Sequence, residues 1–268
     1  MFGRFLKILC LALAIGAAFI FPAQAQQTRF AKKDIGVVFM HGRLGSPDYL
    51  EPLSRALRAE GYLVETPEMP WSRRRAFDAT VDETMREIDE AAVRLRARGA
   101  KVIIIGGHSL GGAAALRYGA SRANVDALIL VAAQWNPQWI GWQRIVGPSL
   151  VRARKAIDAG QDMDDYQYLT NEGEPASMRA HARGYLDYHR ADSAMGVPAS
   201  AKASTRPIPV LWLSANGDGR NVREQEANTF ESLPRHPASR HDTLISPHIS
   251  ATTPAIGPIG AWIEQLRR

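Results

Sequence analysis

Apolar runs alternate with amphipathic stretches along most of the chain. The run from Ile35 to Met40 is almost wholly apolar, as strands buried on both faces of a parallel sheet are. Similar short runs predict strands at 62–66, 101–105, 127–132, 209–213 and 240–245. Because helical patterns separate these runs, the sequence predicts an α/β fold built on a mostly parallel sheet.

The segments between the strands carry apolar residues at helical spacing. In the longest of them, 78–98, residues such as Val81, Met85 and Ile88 recur every three or four positions, and Gly99 follows as a helix stop. Shorter segments predict helices at 47–60, 112–121, 221–233 and 256–266.

The pattern changes between 134 and 207. This stretch holds Trp135, Trp139 and Trp142, an acidic run at 162–165 and many tyrosines. We expect a mostly helical insertion between two strands of the sheet. The acidic run lacks the glycine and the distal glutamate of a calcium loop, so it predicts the solvated start of a helix rather than a metal site.

The first 25 residues have the composition of a signal peptide. Arg4 and Lys7 precede an apolar run, Ile8 to Phe21, and Ala23-Gln24-Ala25 forms a cleavage site of small residues. The apolar run is short for a membrane span. We expect cleavage before Gln26, export and no stable membrane anchor, with an uncleaved N-terminal anchor as the alternative.

Cysteine content and charge narrow the class of protein. The only cysteine, Cys10, lies in the predicted leader, so the exported chain would hold no disulfide and no thiol nucleophile. This favours a bacterial periplasmic or extracellular location.

The charge of the chain does not indicate a nucleic-acid partner. The net charge of +6 falls to +4 without Arg4 and Lys7, and the sequence has no basic stripe with interleaved aromatic residues. The cluster Arg73-Arg74-Arg75 predicts either a solvated loop or a site for an acidic group.

Gly107-His108-Ser109-Leu110-Gly111 is the most informative motif. It follows the apolar run 101–105 and precedes small, helix-compatible residues, which is the strand–turn–helix context of a nucleophile elbow. In so sharp a turn, a glycine two positions to either side of the serine prevents the strand and the helix from colliding. The serine backbone would stand at a helix N-terminus, where negative charge is favoured. We therefore predict that Ser109 is a nucleophile.

Together with His41-Gly42 after the first strand and a late Asp followed by His, this motif resembles the α/β-hydrolase superfamily, in particular its esterase- and lipase-like serine hydrolases. The resemblance covers nearly all of the chain after the leader. It implies the α/β-hydrolase fold, hydrolytic chemistry and no cofactor, with a core of 26–133 and 208–268 and a cap or lid at 134–207. Only about ten residues separate the cleavage site from the first strand, which favours a reduced sheet of about six strands.

A serine nucleophile needs a base, and the base needs an orienting acid. The resemblance implies the chain order serine, acid, histidine. Asp218 is the best candidate for the acid, because it lies in the turn Asn216-Gly217-Asp218-Gly219 at the end of a predicted strand. An ordinary turn would explain the same residues, and Asp242 and Glu224 are the alternative acids.

Two histidines are candidates for the base. His248 lies 30 residues after Asp218 in a predicted loop, whereas His241 lies within or beside the last strand. A base on a loop reaches Ser109 more easily, which favours His248. The other histidines are not expected to act as the base; they are His41, His108, His181, His189 and His236.

A tetrahedral intermediate needs backbone donors for its oxyanion. The amide of Leu110, directly after the nucleophile, is one candidate. The resemblance places the second donor in the loop after the first strand, at the amide of Arg43, with Leu44 as the alternative. Gly42 and Gly45 would let this loop approach the substrate closely.

The sequence says less about the substrate than about the type of reaction. Trp135 and Trp139, with Trp142, either line an acyl pocket or form the core of the insertion; the first two are the candidate substrate-binding residues. They favour an apolar, uncharged small-molecule or lipid-like ester. Acyl transfer, perhydrolysis and thioester hydrolysis are alternatives on the same scaffold. A secreted binding protein without activity is a further alternative, which is disfavoured because every triad position has a candidate.

Overall fold

The computed structural model describes residues 30–170 and 173–267, and the predicted signal peptide lies outside these residues. The strands of this part of the chain are β1 (Ile35–Met40), β2 (Leu63–Glu65), β3 (Val102–His108), β4 (Ala127–Val131), β5 (Met163–Leu169), β6 (Pro175–His181), β7 (Val210–Ala215) and β8 (Arg240–Leu244). Six of them form one sheet in the order β2-β1-β3-β4-β7-β8, and all neighbours in it are parallel. The predicted α/β-hydrolase architecture with about six strands is confirmed.

The central strands are buried on both faces of the sheet. Every residue of β1 is buried, and successive side chains of a strand point to opposite faces. Val38 and Met40 accordingly join the apolar cluster on one face, while Val37 and Phe39 join the cluster on the other. This two-sided burial explains why the strands have continuous apolar sequences.

Helices cover both faces of this sheet. The α-helices of the described residues are α1 (Glu51–Ala59), α2 (Val81–Ala97), α3 (Leu110–Ser121), α4 (Ile140–Asp158), α5 (Ala182–His189), α6 (Val197–Ala203), α7 (Arg220–Ser232) and α8 (Ile256–Leu266). Leu57 of α1 and Ile259 of α8 pack on one face, and Ile88 of α2 and Leu116 of α3 pack on the other. Within the described ranges, no helix combines the length and the apolar character that a membrane crossing requires.

The longest predicted helix, 78–98, begins three residues later than expected, because of its cap. Thr80 accepts a hydrogen bond from the backbone N–H of Glu83, and the Glu83 carboxylate accepts one from the backbone N–H of Thr80 at 2.7 Å. This capping box satisfies amide groups that the first turn leaves without partners. Gly99, at φ 101°, ends the helix as predicted.

The insertion between β4 and β7 is less helical than predicted. Besides α4, α5 and α6 it contains an antiparallel hairpin formed by β5 and β6. The prediction that the acidic run 162–165 begins a helix is wrong, because Asp164 and Asp165 lie in β5. The neighbouring Tyr166 is buried and stacks on Tyr185 at 4.4 Å between ring centroids. Pairing with β6 and the burial of Tyr166 therefore outweigh the local helical preference.

The two ends of the insertion pack differently. Val197 and Ala201 of α6 lie in the apolar cluster that also contains α3, so this helix belongs to the layer against the sheet. Leu169 and Thr170, at the end of β5, reach a pocket that also contains Ser109. The hairpin therefore contributes to the wall of the candidate site.

Candidate active site

Ser109 occupies a strained turn between β3 and α3. Its backbone has φ 55° and ψ −119°, a conformation that a residue with a side chain adopts only under strong constraint from its surroundings. A Cβ added to Gly107 would collide with the backbone of Gly111, and one added to Gly111 would collide with the carbonyl oxygen of Met40. The absence of side chains at both positions is what permits the turn.

Three predicted residues meet at this turn. The Nε2 atom of His248 lies 2.9 Å from the Oγ atom of Ser109. The Nδ1 atom of the same ring lies 3.0 and 3.1 Å from the two carboxylate oxygens of Asp218. Nδ1 therefore donates its proton to Asp218, and Nε2 accepts the hydroxyl proton of Ser109. This arrangement can remove the serine proton as Oγ attacks a carbonyl carbon.

The loops that carry Asp218 and His248 are tied together. The backbone N–H of Gly217 donates to the carbonyl oxygen of Ser246 at 3.0 Å, and the backbone N–H of Ser246 donates to the Asn216 side chain at 2.9 Å. A Cβ at Gly217 would lie only 2.8 Å from the Cα atom of Pro247. The turn that carries Asp218 thus also holds the histidine loop in place.

His108 contacts the candidate base directly. Its Nε2 donates to the backbone carbonyl oxygen of His248 at 2.8 Å, and the two ring centroids are 5.0 Å apart. Burial, with a contribution from the neighbouring His248, lowers the pKa of His108 to about 4, so its ring is neutral at physiological pH. The expected packing role is present, and the hydrogen bond adds a positioning role that the sequence did not indicate.

His41 shapes the loop after β1. Its buried ring donates from Nδ1 to the carbonyl oxygen of Gly42 at 2.8 Å and accepts at Nε2 from the backbone N–H of Met69 at 3.1 Å. Its own carbonyl oxygen accepts from Trp71 Nε1 at 2.8 Å. Both ring nitrogens are used, and burial lowers the pKa of the ring. His41 is placed as a structural residue, as predicted.

This loop passes close to the nucleophile. A Cβ added to Gly42 would lie 3.2 Å from the Cβ atom of Ser109. The amide of Leu44, the alternative oxyanion donor, already donates to the carbonyl oxygen of Trp71 at 2.8 Å. The amides of Arg43 in this loop and of Leu110 at the start of α3 therefore remain the candidate oxyanion donors.

The competing acids and bases lie elsewhere. His241 in β8 contacts the Oγ atom of Ser214 through Nε2 at 2.8 Å. Asp242 pairs with Arg240, and Glu224 is an exposed residue of α7. The other histidines have local partners: His181 contacts Asp162, His189 contacts the carbonyl oxygen of Tyr185, and His236 contacts the backbone N–H of Ala238.

A pocket of about 680 Å³ opens at Ser109 and His248. The three tryptophans of the insertion all line this pocket. Two of them also belong to the apolar core. Trp135 and Trp142 are buried and meet edge to face at 4.7 Å between ring centroids, whereas Trp139 is 51% exposed. In the part of the chain that the structure describes, no group of three or more His, Cys, Asp or Glu residues could hold a metal ion.

Residues 37–252 match the model of a protein family described as the alpha/beta hydrolase family. No curated protein matches the sequence.

Several solved structures resemble the described fold. The monoacylglycerol lipase of Paleococcus ferrophilus gives a TM-score of 0.62 at 18% identity, over 87% of this chain and 93% of the lipase. A structure reported for the metagenome-derived lipolytic enzymes LipS and LipT gives 0.58 at 18% identity, over 88% and 94%. A soluble variant of monoglyceride lipase from Saccharomyces cerevisiae gives 0.58 at 12% identity, over 87% and 85%. At these identities the likeness concerns the fold.

Proposed function

Because the chain belongs to the alpha/beta hydrolase family, we propose that it hydrolyses carboxylic esters through a covalent acyl-enzyme on Ser109. The observation that carries this proposal is the continuous hydrogen-bonded chain from Ser109 through His248 to Asp218, of which Ser109 and His248 line a pocket. A serine hydroxyl becomes a strong nucleophile only when an oriented base takes its proton. The geometry supports His248 as that base and Asp218 as the group that orients it.

In the first half of the reaction, Oγ of Ser109 attacks the ester carbonyl carbon while Nε2 of His248 takes the hydroxyl proton. The carbonyl oxygen of the substrate becomes an oxyanion, which the amides of Leu110 and Arg43 would stabilise. Asp218 stabilises the imidazolium through Nδ1. The C–O bond to the alcohol then breaks, and His248 gives the proton to the departing oxygen.

In the second half, water replaces the alcohol. His248 takes a proton from the water molecule as its oxygen attacks the acyl carbon, and a second tetrahedral intermediate forms. Its collapse breaks the bond to Oγ, which recovers its proton from His248, and the carboxylic acid leaves. Trp135 and Trp139 would contact the apolar part of the substrate, since both line the pocket. No step requires a cofactor.

Export through the N-terminal 25 residues is part of the same proposal. When the full chain is expressed in a bacterium, mass spectrometry of the purified protein should find Gln26 at the N-terminus, in the periplasmic or extracellular fraction. An intact N-terminus in the membrane fraction would instead support an uncleaved anchor.

The activity is tested with p-nitrophenyl esters from acetate to long acyl chains. Ser109→Ala and His248→Ala should each lower kcat by about a thousandfold or more, because the triad acts as a unit. His241→Ala is the matched control and should stay within about threefold of the unmodified protein, since His241 bonds to Ser214 instead. Thermal unfolding curves establish that each variant is folded.

Several outcomes would contradict this proposal. Undiminished turnover in Ser109→Ala excludes Ser109 as the nucleophile. Loss of turnover in His241→Ala but not in His248→Ala excludes His248 as the base. Acyl transfer to methanol or to hydrogen peroxide that outcompetes hydrolysis at low concentrations of either, or turnover restricted to thioesters, would place the same residues in a different reaction.

A further inference from the structure

The three arginines of the cluster at 73–75 have different surroundings. Arg74 and Arg75 form ion pairs with carboxylates, whereas Arg73 forms neither an ion pair nor a hydrogen bond with any described residue. Arg73 is exposed, and it lines the pocket that contains Ser109. The carboxylate partners are Glu68 for Arg74, and Asp78 and Glu87 for Arg75.

Arg220 contributes a second cation from a different element. It is the first residue of α7, it is exposed, and it lines the same pocket. Like that of Arg73, its side chain has no ion-pair or hydrogen-bond partner within residues 30–170 and 173–267. It also stands at the N-terminal end of a helix of 13 residues, where the backbone amides favour negative charge.

The described part of the pocket wall holds no carboxylate that is ionised at neutral pH. Among the described residues that line it, Glu226 is the only acid. Its side chain is 2% exposed, and both carboxyl oxygens are buried without a hydrogen-bond partner. Burial, with a contribution from Asp218, raises the pKa of Glu226 to about 8, so the group is mostly uncharged at neutral pH. A cleft lined by one sign of charge concentrates ligands of the opposite sign.

The geometry points to an ester that carries a carboxylate, bound by Arg73 and Arg220 while its apolar part lies against the tryptophans. The inference rests on the proposed function and narrows its substrate class. It departs from the uncharged ester that the tryptophans alone favour. A guanidinium group binds a carboxylate with paired, charge-assisted hydrogen bonds, and neither arginine side chain has a partner among the described residues that would compete.

Matched esters test this inference. The hydrogen adipate and the heptanoate of p-nitrophenol have acyl chains of similar length, and only the first carries a negative charge. A second pair places the charge on the alcohol side: the butyrate esters of 4-hydroxybenzoate and of methyl 4-hydroxybenzoate. In at least one pair, kcat/KM for the anionic ester should exceed that for the neutral ester by about tenfold at low salt. The ratio should fall as sodium chloride is added, because salt screens exposed charges.

Variants assign the preference to particular side chains. Arg73→Gln and Arg220→Gln should each reduce the ratio of anionic to neutral kcat/KM by about threefold, and together they should bring it close to one. Arg235→Gln is the control: Arg235 is also exposed and without a partner among the described residues, but it lies outside the pocket. This variant should keep the ratio of the unmodified protein.

Binding to the Ser109→Ala variant, measured by calorimetry, gives a second readout that needs no turnover. The anionic member of one pair should bind several times more tightly than the neutral member. Equal kcat/KM or equal binding within both pairs overturns the inference, as does a preference that survives in the double variant. If neutral esters are still hydrolysed in a Ser109-dependent way, the proposed function stands while this inference fails.

Discussion

At the scale of single residues, His108 holds the backbone of His248 in place. The hydrogen bond from its Nε2 to the His248 carbonyl oxygen is 2.8 Å long and buried. Because the carbonyl belongs to the same residue as the imidazole that contacts Ser109, a shift of this backbone moves the proposed base. Small displacements of a catalytic group are costly, since proton transfer depends on the distance between the reacting atoms.

We therefore predict that His108→Phe lowers kcat by about tenfold or more and changes KM little. The substitution keeps a ring in contact with His248 but removes the donor. His241→Phe is the matched control, because it makes the same change at a histidine whose ring nitrogen bonds to Ser214 and not to His248. Steady-state kinetics on one p-nitrophenyl ester measure both parameters. An equal loss of kcat in the two variants would assign His108 a structural role only.

The sequence predicted Ser109 and Asp218 from motifs at the ends of predicted strands, and His248 from its place in a predicted loop and from the chain order that the family resemblance implies. Parallel strands bring those ends to one edge of the sheet. It did not predict the contact of His108 with the His248 carbonyl or the buried Glu226. Both depend on how distant segments pack, and a single sequence contains no local signal for such contacts.

At the scale of secondary-structure elements, the junction of β3 and α3 depends on close backbone contact. A Cβ at Gly111 would collide with the carbonyl oxygen of Met40 and lie 2.7 Å from that of His41. Carbonyl groups of a central strand have no room to move away. Helix α3 can therefore follow β3 only if position 111 has no side chain.

Gly111→Ala should lower the free energy of unfolding by about 2–3 kcal/mol, the usual cost of overpacking a well-packed core. Gly257→Ala is the control, because an added Cβ there would meet no atom within 4 Å; its effect should stay below about 1 kcal/mol. Urea unfolding of the two variants measures both values. Equal stability of the two would contradict the packing that we describe.

The hairpin of β5 and β6 is the element that the sequence did not predict. Asp164 and Asp165 lie in β5, although aspartate occurs less often in strands than in helix starts and turns. Here Tyr166 on β5 packs against Tyr185 of α5, and Met178 of β6 is also buried. These contacts join β5 to the following strand and helix, so they do not register in the local sequence of β5. Local preference therefore predicted the wrong element at this place, although it predicted the strands of the main sheet.

At the scale of the whole molecule, Glu226 links stability to pH. Its pKa of about 8 in the folded protein exceeds the ordinary value of about 4.3 for an unfolded chain. The folded state therefore holds a proton that the unfolded state loses between these two values. The contribution of this bound proton to the stability of the folded state is fully present below about pH 4 and is lost as the pH rises through about 8.

We predict that Glu226→Gln removes this dependence. The free energy of unfolding of the unmodified protein should fall by about 4 kcal/mol more than that of the variant between pH 4.5 and pH 8.5. The variant should be the more stable of the two at the higher pH. Urea unfolding at several pH values measures the difference. Parallel pH profiles for the two proteins would show that Glu226 ionises normally in the folded state.

The central claim concerns the nucleophile and its base, and covalent labelling with a fluorophosphonate tests it most directly. We expect a single adduct on the peptide that contains Ser109, formed rapidly in the unmodified protein and in His241→Ala. Labelling should slow by about a hundredfold or more in Asp218→Asn and His248→Ala, because the serine then lacks an oriented base. An adduct on another residue, or labelling of Ser109 at full rate in His248→Ala, would contradict the assignment of this nucleophile and base.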